Sequence, residues 1–224
     1  MKVAYDGMLH YTMDSEAIAA AAKATQVSYE DVTSNDIFPP TPQALKVEYC
    51  RIKAGSVLPD TPLVNDVSYS DIEAGVELPA TPLVTKVKYS NLGGRIVLPA
   101  TPLVKEVMYI DIAKGVRLPP TPLVTHVSYI SIRSGAALPD TPLALVCNYT
   151  HVHAGVMFPA TPKVLVVQYY SVYPDAILPE TPLVEYVSCR QQSVPSLPAM
   201  PLVKRFIVGY ITRALLGLLL QGRH

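Results

Sequence analysis

Thr-Pro returns every twenty residues in this chain, at Thr41-Pro42, Thr61-Pro62, Thr81-Pro82, Thr101-Pro102, Thr121-Pro122, Thr141-Pro142, Thr161-Pro162 and Thr181-Pro182, without one insertion. A unit of twenty residues cannot bury an apolar face alone, so stability has to come from piling the same unit on itself. Three residues before each of these prolines lies another, from Pro39 to Pro179, always preceded by Leu or Phe. Pro lacks a backbone N–H and biases the residue before it toward extended geometry. The Pro-x-Thr-Pro segment therefore belongs at a corner or an edge, never in a central strand.

Between the corners the apolar period is two. Val27 and Tyr29 form a Val-x-Tyr pair that recurs at Val47-Tyr49, Val67-Tyr69, Val87-Tyr89, Val107-Tyr109, Val127-Tyr129 and Val167-Tyr169, with Cys147-Tyr149 and Val187-Cys189 as variants. Both cysteines thus sit at core-type positions. A third apolar position follows at Val32, Ile52, Ile72, Leu92, Ile112, Ile132, Val152 and Val172. The alternation predicts a longer strand over Pro82 to Ser90, with Leu83, Val87 and Tyr89 on one face and Lys86 and Lys88 on the other, and a shorter strand over Gly75 to Leu78. Gly55, Gly75, Gly115, Gly135 and Gly155 share one position in the unit, where Asn35 and Asp175 stand in two other copies. Those residue types tolerate φ > 0, so a left-handed turn is expected there, displaced by one residue at Gly93-Gly94-Arg95.

The fold class is therefore all-β: a rod of tandem 20-residue β-repeats over residues 25–203, with short terminal helices. One open meander of these units would need more strands than the ~10 that a twisted open sheet usually sustains. Two arrangements remain, a single-chain β-solenoid with a tyrosine ladder and an intertwined trimeric fibre. The order of strand, Gly or Asn turn, second strand and Pro-Leu-Val turn resembles the shafts of trimeric viral and phage fibres, the triple β-spiral type. That resemblance implies a homotrimer and a place in a virion. Pentapeptide-repeat solenoids also use twenty residues per coil, but positions 63, 67, 69, 72, 76 and 78 do not keep their five-residue step.

The ends differ from the repeats. Residues 1–24 read as a helical cap or attachment segment, because Asp14 or Ser15 can cap the alanine-rich run Ala17 to Ala24. Leu197-Pro198-Ala199-Met200-Pro201-Leu202-Val203 is a degenerate ninth turn, one residue out of register. Over residues 204–224, Phe206, Ile207, Tyr210, Ile211, Leu215 and Leu218 recur at helical spacing and predict an amphipathic helix. Its apolar face can pack on the last repeat, join copies of the chain, or lie on a membrane. These six are the candidate assembly residues.

Little else in the sequence carries chemistry. With 18 Lys+Arg against 18 Asp+Glu there is no excess of positive charge for nucleic acid. Asp6, His10, Asp14 and Glu16 interrupt any secretory signal, and charges break the apolar stretch from Leu202 to Leu220, so neither export nor a membrane span is expected. Cys50, Cys147 and Cys189 fit no disulfide framework or paired-Cys metal site and read as free thiols. His151-Val152-His153 is the local sequence with metal-ligand character, since in a strand both imidazoles point one way and three copies of a trimer offer six nitrogens. Its equivalents elsewhere, Asp71 and Glu73 or Asp111 and Ala113, favour two solvent-facing histidines instead. Leu-Pro-x-Thr-Pro is not the sortase string, because Pro replaces its Gly in every copy. The aligned tyrosines belong in a ladder with their hydroxyls at the rim.

No unit breaks the repeat to gather a convergent polar site, so no catalytic residue and no cofactor is expected. The function expected is structural: a fibre, spike or connector in a larger assembly such as a phage virion, made in the cytoplasm. Its partners would be copies of itself, as a trimer, and other structural proteins at its termini. The alternative is a solenoid that binds a partner protein or self-assembles into filaments.

Overall fold

The computed structural model is a single-chain β-solenoid built on one twelve-stranded sheet. It describes residues 2–11, 14–59, 61–76, 78, 79, 81–93, 96, 98, 103–116, 118, 123–138, 144–153, 155, 156, 164–171, 173, 185–190 and 205–209, with backbone alone at 189, 190 and 205–209. The elements are β1 (Lys2–Tyr5), β2 (Met8–His10), α1 (Ser15–Lys23), β3 (Gln26–Val32), β4 (Lys46–Ile52), β5 (Asp66–Ile72), β6 (Lys86–Ser90), β7 (Glu106–Ile110), β8 (His126–Ile130), β9 (Val146–Thr150), β10 (Val166–Tyr170), β11 (Tyr186–Arg190) and β12 (Arg205–Gly209). From β3 onward every strand pairs in parallel with the next, so each residue faces its equivalent in the following coil, Val27 on Val47 and Tyr29 on Tyr49. Ten parallel strands about 4.8 Å apart make a ladder roughly 43 Å long. Of the two arrangements open to the sequence, the chain adopts the one in which each coil covers its own neighbour.

Identical side chains stack into columns. Val27, Val47, Val67, Val87, Val107, Val127, Cys147, Val167 and Val187 form one, and Val32, Ile52, Ile72, Leu92, Ile112, Ile132 and Val152 another, all buried. The tyrosine ladder runs from Tyr29 to Tyr169 with ring centroids 5.2 to 5.7 Å apart and planes within 16° of parallel. The in-register sheet imposes this offset stacking, because its strand spacing is close to the separation the rings prefer.

The tyrosine hydroxyls are not at the rim. Every ladder ring is at most 1% exposed, and the phenol of Tyr29 lies 3.5 Å from the hydroxyl of Thr41, itself fully buried. Burial drives the Tyr29 and Tyr69 phenols far above the ordinary value of 10, with the Thr41 and Thr81 hydroxyls beside them pulling the other way. Thr41 and Thr81 thus each give a polar neighbour to a buried phenol, a need that the turn alone would not explain.

Among the described residues the coils turn at three kinds of corner. Asp31, Arg51, Asp71, Asn91, Asp111, Ser131, His151 and Ser171, two residues after each ladder tyrosine, adopt φ between 49° and 55°. The expected glycine corner follows, with Gly55, Gly75, Gly115, Gly135 and Gly155 at φ 73° to 85°. Asn35 does not share that conformation; there the Asp36 carboxylate accepts hydrogen bonds from the Thr33 N–H and hydroxyl and closes the turn. Asp175, Gly94 and Arg95 lie outside the described residues. At the third corner Val64 N donates to Thr61 O and Val84 N to Thr81 O, both at 3.3 Å.

That last corner changes the expected strand. It occupies Thr81 to Val84, so β6 begins at Lys86 and not at Pro82. The turn also reverses the expected facing: Val84 is fully buried, while Leu83 is 44% exposed. Of the predicted short strand at Gly75 to Leu78, Glu77 lies outside the described residues; its equivalents Val57 and Ala137 form isolated β-bridges, and Val76 is buried and Leu78 half-buried, as the alternation required.

The first coil is closed by a hairpin, where the sequence predicts a helical segment alone. β1 and β2 form an antiparallel hairpin through Asp6 (φ 48°) and Gly7 (φ 87°), and β1 pairs antiparallel with β3. Val3 and Tyr5 repeat the Val-x-Tyr pattern in reverse, opposite Tyr29 and Val27. α1 is the expected N-terminal helix, capped by the Asp14 side chain accepting from Ala17 N, with Ala17 and Ala21 buried in the same core.

Candidate assembly surfaces

The backbone of each coil hands two N–H groups to the coil before it: Leu45 and Lys46 donate to Thr25 O, Asn65 and Asp66 to Leu45 O, and so on to Glu185 and Tyr186 on Leu165 O. Thr25 and Gln26 begin the first coil and have no preceding carbonyl. The Asp6 carboxylate stands in its place, accepting from Gln26 N at 2.7 Å, Thr25 N at 3.0 Å and the Thr25 hydroxyl at 3.1 Å. Those donors, the Gln26 N–H foremost, hold its pKa below the ordinary 3.8. The hairpin therefore ends the hydrogen-bond ladder, leaving the three-residue β2 as the sheet edge with Met8 and Leu9 exposed.

The outward face of the sheet changes character along the rod. In β3 to β7 the outward positions carry Glu30, Lys46, Glu48, Asp66, Lys86, Lys88 and Glu106. Ion pairs join successive coils on that face and at the corner beyond it: Lys86 with Glu106 at 3.0 Å on the strands, and Arg51 with Asp31 and Glu30 and Lys53 with Glu73 at 2.6 Å toward the corner. The Arg51 guanidinium, with Lys2 behind it, holds the Asp31 carboxyl down at about 2, and Lys53 lowers Glu73. β9 and β10 carry no charged residue; Val146, Val166 and Tyr170 stand outward there with Asn148, Thr150 and Gln168, and Leu145 and Leu165 precede the two strands, all half-buried.

Two further features lie at the corners. Gly93 interrupts the column Lys53, Glu73, Ala113, Arg133, which leaves a groove of about 530 Å³ lined by residues of both signs, among them Asp71, Asp111 and Arg133. Among the described residues no group of three or more His, Cys, Asp or Glu is placed to hold a metal ion. At the Thr-Pro corner Leu63, Leu83, Leu103 and Leu123 form a column 41 to 47% exposed.

His151 and His153 are both exposed, on either side of the buried Val152. They are not in a strand: His151 occupies the left-handed corner, and the ring of His153 stacks on Tyr173 at 4.7 Å. Cys147 is buried within the core, which pushes its thiol up to about 12, and Cys50 is half-buried with its pKa raised by burial. The side chain of Cys189 lies outside the described residues.

Phe206 and Ile207 are not helical, since Arg205–Gly209 is the tenth parallel strand, with Phe206 in register with Val187 and Ile207 with Ser188. The step from β11 to β12 is nineteen residues instead of twenty, which matches the one-residue slip of Leu197-Pro198 in the sequence. Counting nine residues from Leu197, as from Leu178 to Val187, would have placed this strand. Tyr210, Ile211, Leu215 and Leu218 lie outside the described residues. No helix among the described residues is long and apolar enough to cross a membrane. Comparison with known protein families, curated proteins and solved structures finds no match, so geometry carries the functional reading.

Proposed function

We propose that this chain is a structural rod, serving as a fibre, spike or connector segment in a larger particle, with a phage virion as one such setting. The observation that carries the reading is the unbroken ladder, which sets the β1–β2 hairpin at one end and β12 at the other, about 50 Å apart across eleven strand spacings. A solenoid whose coils bury identical columns resists bending, because any kink opens several stacked contacts at once. Residues able to do chemistry stand outward on different coils, each beside its counterpart in the next, so the reading assigns no catalytic role and no cofactor. Its partners are other structural proteins at the two ends and copies of itself.

The leucine column favours a second arrangement within the same reading. Leu63, Leu83, Leu103 and Leu123 present an apolar strip along the rod, and a trimer would be three complete rods bundled on that strip, not three chains sharing one core. Light scattering on the purified protein decides between them: 24.3 kDa identifies a single rod, and three times that mass the bundle. Compact, roughly spherical particles in electron micrographs would overturn the rod itself.

A further inference from the structure

The geometry points to a docking site on the outward face of β9, β10 and β11 for the chain's own residues 210–224, packed in cis. The face carries Val146, Leu165, Val166, Tyr170 and Tyr186 at outward or corner positions, beside the polar Asn148, Thr150, Gln168 and Ser188 and with Arg190 at the end of β11, where β3 to β7 carry charges of both signs. Among its described outward side chains Ser188, next to β12, is the buried one. Ser28, Ser68 and Ser128, the serines at the same outward position in other coils, are half-exposed, whereas Ser188 is buried at 8%.

The occupant follows from where the chain leaves the sheet. Gly209 ends β12 in register with Arg190, which lies in register with Tyr170, so residue 210 starts about 10 Å from the Tyr170 column. The fifteen residues that follow are rich in apolar side chains, with Ile211, Leu215, Leu216, Leu218, Leu219 and Leu220 among them. Even coiled as a helix they reach about 22 Å, more than the width of β9 to β11. A neighbour so tethered meets this face at an effective concentration in the millimolar range, which a second molecule does not match at ordinary protein concentration. Docking there covers an apolar patch that would otherwise join rods side by side.

The test uses the full chain with the photo-crosslinking residue p-benzoylphenylalanine at position 168, on the outward side of β10, in a mixture of ¹⁴N- and ¹⁵N-labelled protein. The expected product is a crosslink between position 168 and a peptide from 210–224 of the same isotope. Mixed-isotope crosslinks mean a second molecule fills the site, and crosslinks elsewhere, or none, mean the segment does not lie there; each overturns the proposal. Deleting 210–224 supplies a second readout, a several-fold rise in the fluorescence of an apolar-surface dye, and unchanged fluorescence of the folded deletion variant contradicts it. Both readouts are indifferent to whether the rod joins a larger particle.

Discussion

The coils of β3 to β7 and those of β9 and β10 have the same interior and opposite exteriors. Inside, Tyr69 and Tyr149 are equally buried and equally stacked. Outside, the first group carries charges of both signs, with Lys86 and Glu106 paired across coils, and the second carries valine, leucine and tyrosine among the uncharged Asn148, Thr150 and Gln168. The contrast separates two jobs that a globular domain usually mixes. Inward columns specify the fold, because each must match its neighbours above and below. Outward columns answer only to solvent or a partner and can change along the rod without cost to the coil.

If that separation is right, one inward substitution should cost the same in either half. Tyr69→Ala and Tyr149→Ala should each destabilise the protein by about 3–5 kcal/mol, the range for removing a large buried aromatic. Chemical denaturation of the two variants measures this, and costs differing by more than about 2 kcal/mol would break the equivalence. Outward substitutions should behave oppositely in the two halves. Val166→Asp places a charge on a half-buried apolar face and should cost about 1–3 kcal/mol, whereas Lys86→Val loses an exposed ion pair and should stay within about 0.5 kcal/mol. Equal effects in the same assay would mean that the two exteriors are alike.

The smallest effect is electrostatic. Asp31 titrates near 2 in the folded chain against an ordinary 3.8, so the stability it contributes is present above the higher value and lost as pH falls through the lower. Asp6 shifts in the same direction. Amide resonances of β3 and β4 should therefore move between pH 4 and pH 2. Those of β9 and β10, whose strands contain no carboxylate, should hold still. Uniform movement along the rod would remove the contrast.

Most of the coil was legible because its strongest constraint is arithmetic. Identical residues twenty apart can bury one another only by stacking, and Val-x-Tyr shows which face goes inward. What escaped was set by local turn chemistry. The alternation through Leu83 reads as strand, but the hydrogen bond from Val84 to Thr81 O turns the chain and buries the next residue instead. Half of the left-handed residues after the tyrosines are Asp or Asn, which tolerate φ > 0, yet Arg51 and His151 in the same place mask the pattern. Asp6-Gly7 is a strong hairpin pair between alternating residues, but the single short strand on either side of it carries no twenty-residue repeat to mark it. The apolar spacing from Phe206 onward fits a helix, but Arg205–Gly209 pairs with β11, one residue short of the twenty-residue step. Among the assembly surfaces, the charged and apolar exteriors could be read from the outward columns. The role of Asp6 could not, because it depends on a hairpin folding back across twenty residues.

Stacking of consecutive coils within one chain is tested most directly by the distance between two points in the same column. Spin labels at positions 48 and 148, in a background with Cys50→Ser and Cys189→Ser and diluted with unlabelled protein, lie five coils apart. The account predicts a single narrow distance near 24 Å, five steps of about 4.8 Å. A separation beyond about 50 Å, as when each repeat advances a full strand length along a fibre, would contradict it.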